Sequence, residues 1–315
     1  MSGFTTGNTE HLIRSDLWSS QLKEVLLDEL FAMRYVDMIT DFPDGDTLHI
    51  PSIGQAEALD YVEGEAVKYT AMDTGDFTFS ITEYKQSGTY ITNKMKQDSF
   101  YMSRLVSSFV PKQARAIAKI MEVDILKLGP DAQTAANVNA INGANHRWIA
   151  SGTNEVIVPE DFAKARYALQ KANVPMTNLV AIVDPSVEYA LSTMTNLANV
   201  SFNPRWEGIV REGMSTGTRF FMNVYGFDVY VSMNLKDGIS ETISGKTATT
   251  GVANLFFSAA QDVVPFVGSI RQPPKVDSDY NKDLQREEYV TTCRYGFKLF
   301  RPENMVVVIS DTDQV

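Results

Sequence analysis

The sequence predicts an α+β fold in which helices and strands are interspersed and distant parts of the chain meet. Three observations carry that expectation. Apolar residues recur at helical spacing through 97–128. Apolar and polar residues alternate through 76–92, as a strand requires. The remaining periodic segments follow no regular βα order. The chain has 315 residues, and about 150 residues per domain implies one or two domains. Apolar residues make up 44% and charged residues 21%, which excludes wholesale disorder and collagen-like repeats. No internal repeat and no Pro/Ser-rich linker is visible.

Residues 1–15 are small and polar without a period and read as a flexible arm. Residues 16–39 read as a helix, with Leu22, Val25, Leu26, Leu30, Met33 and Met38 near one face and Asp16 or Ser19 as its cap. The turn Phe42-Pro43-Asp44-Gly45 ends that pattern. Residues 46–92 read as a long two-stranded excursion with an acidic, glycine-containing tip. Such a hairpin is marginal in water and needs another surface to rest on.

From Ser99 the pattern returns to helix. A first short helix holds Phe100, Tyr101, Leu105 and Phe109, and Pro111 fits the first turn of a second. Ala114, Ala118, Met121, Ile125 and Leu128 then form one stripe, and Gly129-Pro130 ends it. Residues 131–153 read as loop with Trp148 as anchor. Pro159-Glu160-Asp161 opens a helix whose inward positions are Phe162, Ala165, Leu169 and Ala172. Residues 178–183 are a buried strand, and Asp184-Pro185 starts a helix that runs to Met194. Two short strands meet near Tyr225-Gly226, 236–251 is a polar loop, and strand-like runs fill 289–309 around the turn Arg301-Pro302-Glu303-Asn304.

Composition narrows the function. Residues 1–80 hold 15 acidic and 4 basic residues, which accounts for the whole net charge of −11. That charge opposes tight sequence-specific DNA binding and suits a basic partner surface. No run approaches the ~18–20 apolar residues that cross a bilayer, so no membrane partner is expected, and no secretory signal is visible at the N-terminus. A lone cysteine, Cys293, excludes an intrachain disulfide and a multi-cysteine zinc site. His11, His49 and His146 form no metal-ligand spacing, so no metal and no cofactor are expected.

Individual motifs have plain explanations. Ser244-Gly245-Lys246-Thr247 ends like a phosphate-binding loop, but Ser240 stands where that motif needs glycine, so a surface loop is expected. Asp184 is expected to cap a helix, and Cys293 to be a structural strand residue. His49 is expected in a strand at a surface or interface, and His146-Arg147-Trp148 as a loop anchor. Asn199-Val200-Ser201 matches a glycosylation acceptor, without consequence here. Lys68 and Lys85 could in principle link covalently to another subunit. Nothing marks the apolar pocket such chemistry needs, so non-covalent contact is expected.

In order along the chain, four segments resemble the major capsid proteins of tailed bacteriophages, with the Hong Kong 97 fold. The arm, helix and acidic hairpin 46–92 look like the family's N-arm and E-loop. Residues 93–130, with Asp98-Ser99, then Asp124 and Gly129, look like the spine helix and its approach. Residues 223–235, with Gly226, Val229 and Ser232, look like the axial-domain turn. Residues 295–309 look like the closing strands of the peripheral domain.

The resemblance implies a division into N-terminal arm and helix (1–45), E-loop (46–96), spine helix and first part of the peripheral domain (97–135), axial domain (136–260) and the rest of the peripheral domain (261–315). It implies no catalysis. It implies self-assembly into hexamers and pentamers of an icosahedral shell around double-stranded DNA. Segments 203–219 and 236–251 would be contacts at the capsomer centre. The E-loop residues Glu57, Asp60, Glu63, Glu65, Lys68, Asp73 and Asp76 would lie on a neighbouring subunit. Arg104, Lys112, Arg115, Lys119 and Lys127 of the spine region would be their targets. Gly45, Gly75 and Gly88 would be hinges for shell expansion. Further implied partners are a portal, a separate scaffolding protein, a decoration protein and non-specific proximity to DNA on the inner face. Synthesis would take place in the host cytoplasm. Two alternatives stay open: an encapsulin-type nanocompartment shell with the same fold, and an enzyme of unknown class.

Overall fold

The computed structural model describes residues 32–40, 47–53, 74–98, 102–193, 220–261 and 263–311. Expectations for the arm, most of the helix at 16–39, the tip of the 46–92 excursion and Asn199 lie outside them. Three sheets and five α-helices organise the described residues.

The helix at 16–39 does not reach its expected end. Residues Ala32–Tyr35 make a short 3₁₀ turn, and β1 (Val36–Met38) then runs parallel to the start of a long C-terminal strand. Only β-type pairing lets Val36 sit against Gly268, where an added Cβ would lie 2.9 Å from Val36 Cγ1.

The excursion divides in two. β2 (Thr47–Ile53) and β3 (Thr74–Ser80) form a separate two-stranded sheet. Ile81 and Thr82 interrupt the alternation, and β4 (Glu83–Thr92) continues as part of a larger sheet. The unbroken period of 76–92 hides this break, because Phe79 and Ile81 are both buried anchors.

After α1 (Asn93–Asp98), one helix, α2 (Met102–Leu126), replaces the two expected around Pro111. Its 25 residues span roughly 37 Å at 1.5 Å per residue. Pro111 costs the helix one backbone bond, and packing of the later turns outweighs that cost. Beyond Lys127 the chain makes one further turn, α3 (Leu128–Ala132), so Gly129-Pro130 does not end the helical path. An added Cβ at Gly129 would meet the Met305 side chain at 3.1 Å, which is why a residue without a side chain sits there.

The larger sheet has seven strands. β5 (Arg147–Ile149) and β6 (Leu179–Val183) join β7 (Phe220–Val224), β8 (Phe227–Val231), β9 (Ile239–Ile243), β10 (Lys246–Ser258) and β13 (Val306–Asp311), in the order β5-β13-β10-β6-β8-β7, with β9 beside β10. All five residues of β6 are buried, as a strand covered on both faces requires. The helices α4 (Pro159–Lys171) and α5 (Pro185–Thr193) begin where the sequence places them. They cover one face over a cluster containing Phe162, Leu169, Val187 and Leu191. In it Phe162, Phe227 and Phe256 meet edge to face at centroid distances of 6.3, 5.1 and 5.5 Å, each contact adding about 0.5–1.5 kcal/mol beyond area burial. Buried Asn254 ties three elements: its carbonyl oxygen accepts from Asp184 N–H at 2.9 Å, and its amide donates to Val308 O at 3.1 Å and Ser310 Oγ at 2.8 Å.

The polar stretch 236–251 is a hairpin rather than a loop. Ser244 and Gly245 both take positive φ, 53° and 82°, the geometry of the two-residue turn that matches strand twist. Composition concealed it; Ile239 and Ile243 supply the buried ends.

The third sheet has the order β1-β11-β12-β4, with β11 (Phe266–Asn281) and β12 (Arg286–Leu299) forming its long central hairpin. The sequence did not predict β11 because Pro273-Pro274 breaks its pattern. The ladder absorbs both prolines in a register shift between Gln272 and Lys275, on a stretch of β11 that no described strand flanks. The run 295–309 is also split: β12 stays in this sheet, while β13 crosses to the seven-stranded one, between β5 and β10.

Candidate inter-subunit surface

α2 has two chemically different faces. The face toward β4 and β12 buries Gln113, Ile117, Met121, Asp124 and Ile125. The Gln113 amide donates to Thr89 Oγ1 at 3.2 Å, and its carbonyl accepts from Thr291 Oγ1 at 2.9 Å, so one side chain joins helix and two strands. Asp124 does the same about three turns on. It accepts from the Tyr295 hydroxyl at 2.6 Å and from Lys127 Nζ at 2.5 Å, and Lys85 Nζ lies 3.8 Å away. Burial first, then the Asp124 bond, pushes the Tyr295 hydroxyl far above the usual phenol range. Burial pushes the neighbouring Cys293 thiol up to about 11. The thiol is therefore inert, as a structural strand residue should be.

The opposite face exposes Lys112, Arg115, Lys119 and Ile120. Both acidic residues of α2, Glu122 and Asp124, are buried on other sides, so among the described side chains every exposed charge on α2 is positive. Lys127 is half-buried and paired with Asp124. The placement of the Arg104 side chain lies outside the description.

Of the acidic excursion, Glu57, Asp60, Glu63, Glu65, Lys68 and Asp73 lie outside the described residues, as does Gly45. Asp76 is exposed and accepts a 2.7 Å bond from His49 Nδ1 across the β2–β3 ladder. Gly75 pairs with Ser52 in that ladder, and Gly88 pairs with Val290 inside β4. The root of the hairpin is clamped. Phe79 and Ile81 are buried with Val267, Phe77 packs edge-on against Phe300 at 4.8 Å, and Lys298 Nζ donates to Thr78 O at 2.5 Å. Gly296 lies directly below: a Cβ there would stand 2.8 Å from Ser80 O and 3.0 Å from Ile81 Cα.

The covalent option for Lys85 has no support in its surroundings. Glu83 Oε2 lies 2.5 Å from Lys85 Nζ, and that hydrogen bond, ahead of every other effect, holds the ammonium more firmly protonated than usual. A protonated amine has no lone pair with which to attack.

Other sequence candidates are structural. Lys246 of the Ser244–Thr247 motif donates to Ala150 O at 2.8 Å and Gly152 O at 3.2 Å. Asp184 caps α5 through a 2.9 Å bond from Ser186 N–H. His146, Arg147 and Trp148 are all buried around β5. Arg147 makes a forked contact with Glu241 at 3.1 and 2.9 Å, and Trp148 Nε1 donates to Asp161 at 3.1 Å. Asp161 also accepts from Val158 N–H at 3.1 Å, which starts α4. Desolvation holds the His146 imidazole below its usual pKa, against the Ala144 carbonyl and the Glu303 charge. Among the described residues no group of three or more potential ligands could hold a metal, and no helix is long and apolar enough to cross a membrane. Sequence reasoning missed Tyr295, Gln113 and Glu241, whose partners lie 171, 178 and 94 positions away; no local pattern signals such pairs.

Comparison with known proteins places this architecture. A family model described as phage capsid protein matches residues 76–308. No curated protein matches. Among solved structures the chain is similar to one from Mycobacterium phage Che8, with a TM-score of 0.65, 18% identity, and coverage of 89% of this chain and 90% of that one. It is similar to the capsid of cyanophage P-SCSP1u, with a TM-score of 0.64, 17% identity, and coverage of 87% and 85%. It is also similar to the capsid of cyanophage Pam1, with a TM-score of 0.64, 16% identity and 88% coverage of each chain. These likenesses establish the shared fold, which is that of the Hong Kong 97 type.

Proposed function

The chain belongs to the phage capsid protein family, and from that premise we propose that it is a major capsid protein whose copies form hexamers and pentamers of an icosahedral shell around double-stranded DNA. The carrying observation is the family match over residues 76–308. The clamped β2–β3 ladder, together with a helix whose outer face is cationic, supports the reading physically. A two-stranded sheet is marginal on its own. Acidic residues 57–76 of one copy would rest against Lys112, Arg115 and Lys119 of another, with Arg104 and Lys127 at the ends of that surface. Each exposed pair contributes only about 0–1 kcal/mol, so strength comes from repetition and buried apolar area.

The same reading supplies the division at 45, 96, 135 and 260, the hinge roles of Gly45, Gly75 and Gly88, and the virion as the site of action. It also supplies a separate scaffolding protein, a portal and a decoration protein as partners, host cytoplasm as the place of synthesis, and no catalytic reaction. The family match favours this reading over an encapsulin-type shell. Electron microscopy of the expressed protein, with and without a scaffolding protein, tests it. Closed shells or capsomers are expected, with nucleic acid rather than enzyme cargo in DNA-filled particles. Persistent monomers at high concentration in both conditions would overturn it.

A further inference from the structure

The two long edges of the four-stranded sheet are built differently. Beyond the three residues that pair with β1, β11 carries Pro273-Pro274 and two register shifts. Such devices keep an edge from pairing with another chain. β4 carries none of them. Its 10 residues contain no proline and pair with β12 without a register shift. It ends the strand order, and no described strand flanks its other side. A regular strand of that length leaves alternate N–H and C=O groups directed outward, ready to pair.

A second observation identifies what would pair. Tyr84 and Tyr90 are 57% and 59% exposed, large rings on the face of β4 that points away from α2, with the Arg286 guanidinium 4.5 Å from the Tyr90 ring centroid. They stand three positions to either side of Ser87. If a second β4 lies antiparallel about Ser87, Tyr84 faces Tyr90 of the second copy, and Tyr90 faces its Tyr84. Gln86 then faces Gly88, which leaves it room. On the helix side Lys85 faces Thr89 and Glu83 faces Ile91, so no like charges oppose. Cross-strand aromatic pairs favour such a seam, and opposed like charges would destabilise it.

We propose that β4 is a self-pairing edge: two copies of this chain join antiparallel about a two-fold axis through Ser87, merging two four-stranded sheets into one. The inference goes beyond the shell reading, because the seam can form between free copies or between copies in a shell.

Paired cysteines test the register. The double variant Tyr84→Cys with Tyr90→Cys should give, on mild oxidation at high protein concentration, a reduction-sensitive dimer. Directly opposed residues have Cα atoms about 4.5–5.5 Å apart, within disulfide range. Either single variant should give no dimer, because like positions lie six residues apart, roughly 20 Å at 3.4 Å each. The same distance prevents an intrachain link, and native Cys293 is buried. No dimer from the double variant, or equal dimer from the singles, overturns the proposal. Hydrogen exchange on the unmodified chain is the second measurement. Amides of 83–92 should exchange at least tenfold more slowly when copies associate, and unchanged exchange also overturns the seam. Shells without the crosslink would sink the seam and leave the shell reading standing. The crosslink without shells under any condition would do the reverse.

Discussion

The Tyr295 hydroxyl on β12 donates a 2.6 Å hydrogen bond to the Asp124 carboxylate on α2. With Lys85 and Lys127 around the same carboxylate, this contact fixes how the long helix lies on the long sheet. Gln113 makes a similar tie further along, so the helix is held at two separated points.

Asp124→Asn should destabilise the chain by about 1.5–3 kcal/mol, the usual worth of hydrogen bonds to a buried charged group. Tyr295→Phe should cost about 1–2 kcal/mol, because it leaves part of the carboxylate unpaired. The double variant should lose at least about 0.5 kcal/mol less than the sum, since the two groups share one contact. Urea unfolding of the unassembled chain measures all three, and strict additivity would show that the residues act separately.

Cys293 should resist alkylation at pH 8 in the folded chain and react at once in urea. Its folded pKa is raised from 9.0 to about 11 by burial. A raised folded pKa gives stability that is complete below pH 9 and fades as pH climbs through 11. Tyr295 is shifted in the same direction, so alkaline unfolding should release more than one proton. Titration of thiol reactivity against pH provides the check.

His146 works at the other end of the scale. Its folded pKa is lowered from 6.5, chiefly by desolvation. A lowered folded pKa gives stability that is present above pH 6.5 and lost as pH falls below it, because the unfolded chain takes up the proton first. Unfolding free energy should therefore decline between pH 6.5 and 5. His146→Gln should flatten that decline while lowering stability at pH 7.5. An unchanged slope in the variant would assign the acid sensitivity to other groups.

Gly296→Ala places a methyl group against the backbone of Ser80 and Ile81, neither of which can turn aside as a side chain would. The expected cost is about 1–3 kcal/mol, the range for overpacking. Displacement should appear at the root of the β2–β3 hairpin, so limited proteolysis between residues 80 and 83 should accelerate several-fold. Loss of stability without faster cleavage there would place the strain elsewhere.

Much of the fold was legible in local pattern. β6 shows as an apolar run, α4 by its acidic first turn, and the β7–β8 turn by Tyr225-Gly226. The capsid likeness rested on the order of segments along the whole chain. Where the sequence misled, a specific competing effect explains it. Pro111 suggested a helix boundary, but packing carries the helix through. No strand was expected between 268 and 288, yet β11 runs through Pro273-Pro274, which a register shift on an unflanked edge accommodates. The polar composition of 236–251 hid a hairpin that only the positive φ of Ser244 and Gly245 reveals.

The candidate surface was less legible. The cations Lys112, Arg115 and Lys119 could be placed on a helix, and the structure exposes them. That Asp124 and Glu122 withdraw from the same helix face follows from contacts with residues more than 100 positions away. Spacing within a segment carries no trace of such partners. Symmetry about Ser87 is written in the sequence, but it acquires meaning only once β4 is known to end a sheet.

The position of β13 bears on how the larger sheet closes. Residues 306–311 sit between β5 and β10, while every other strand of that sheet comes from 147–258. The sheet therefore cannot close between β5 and β10 until a segment from far along the chain docks. A chain lacking those six positions would leave Ile149 and Leu255, otherwise buried, facing water, and should carry an open apolar slot prone to aggregation.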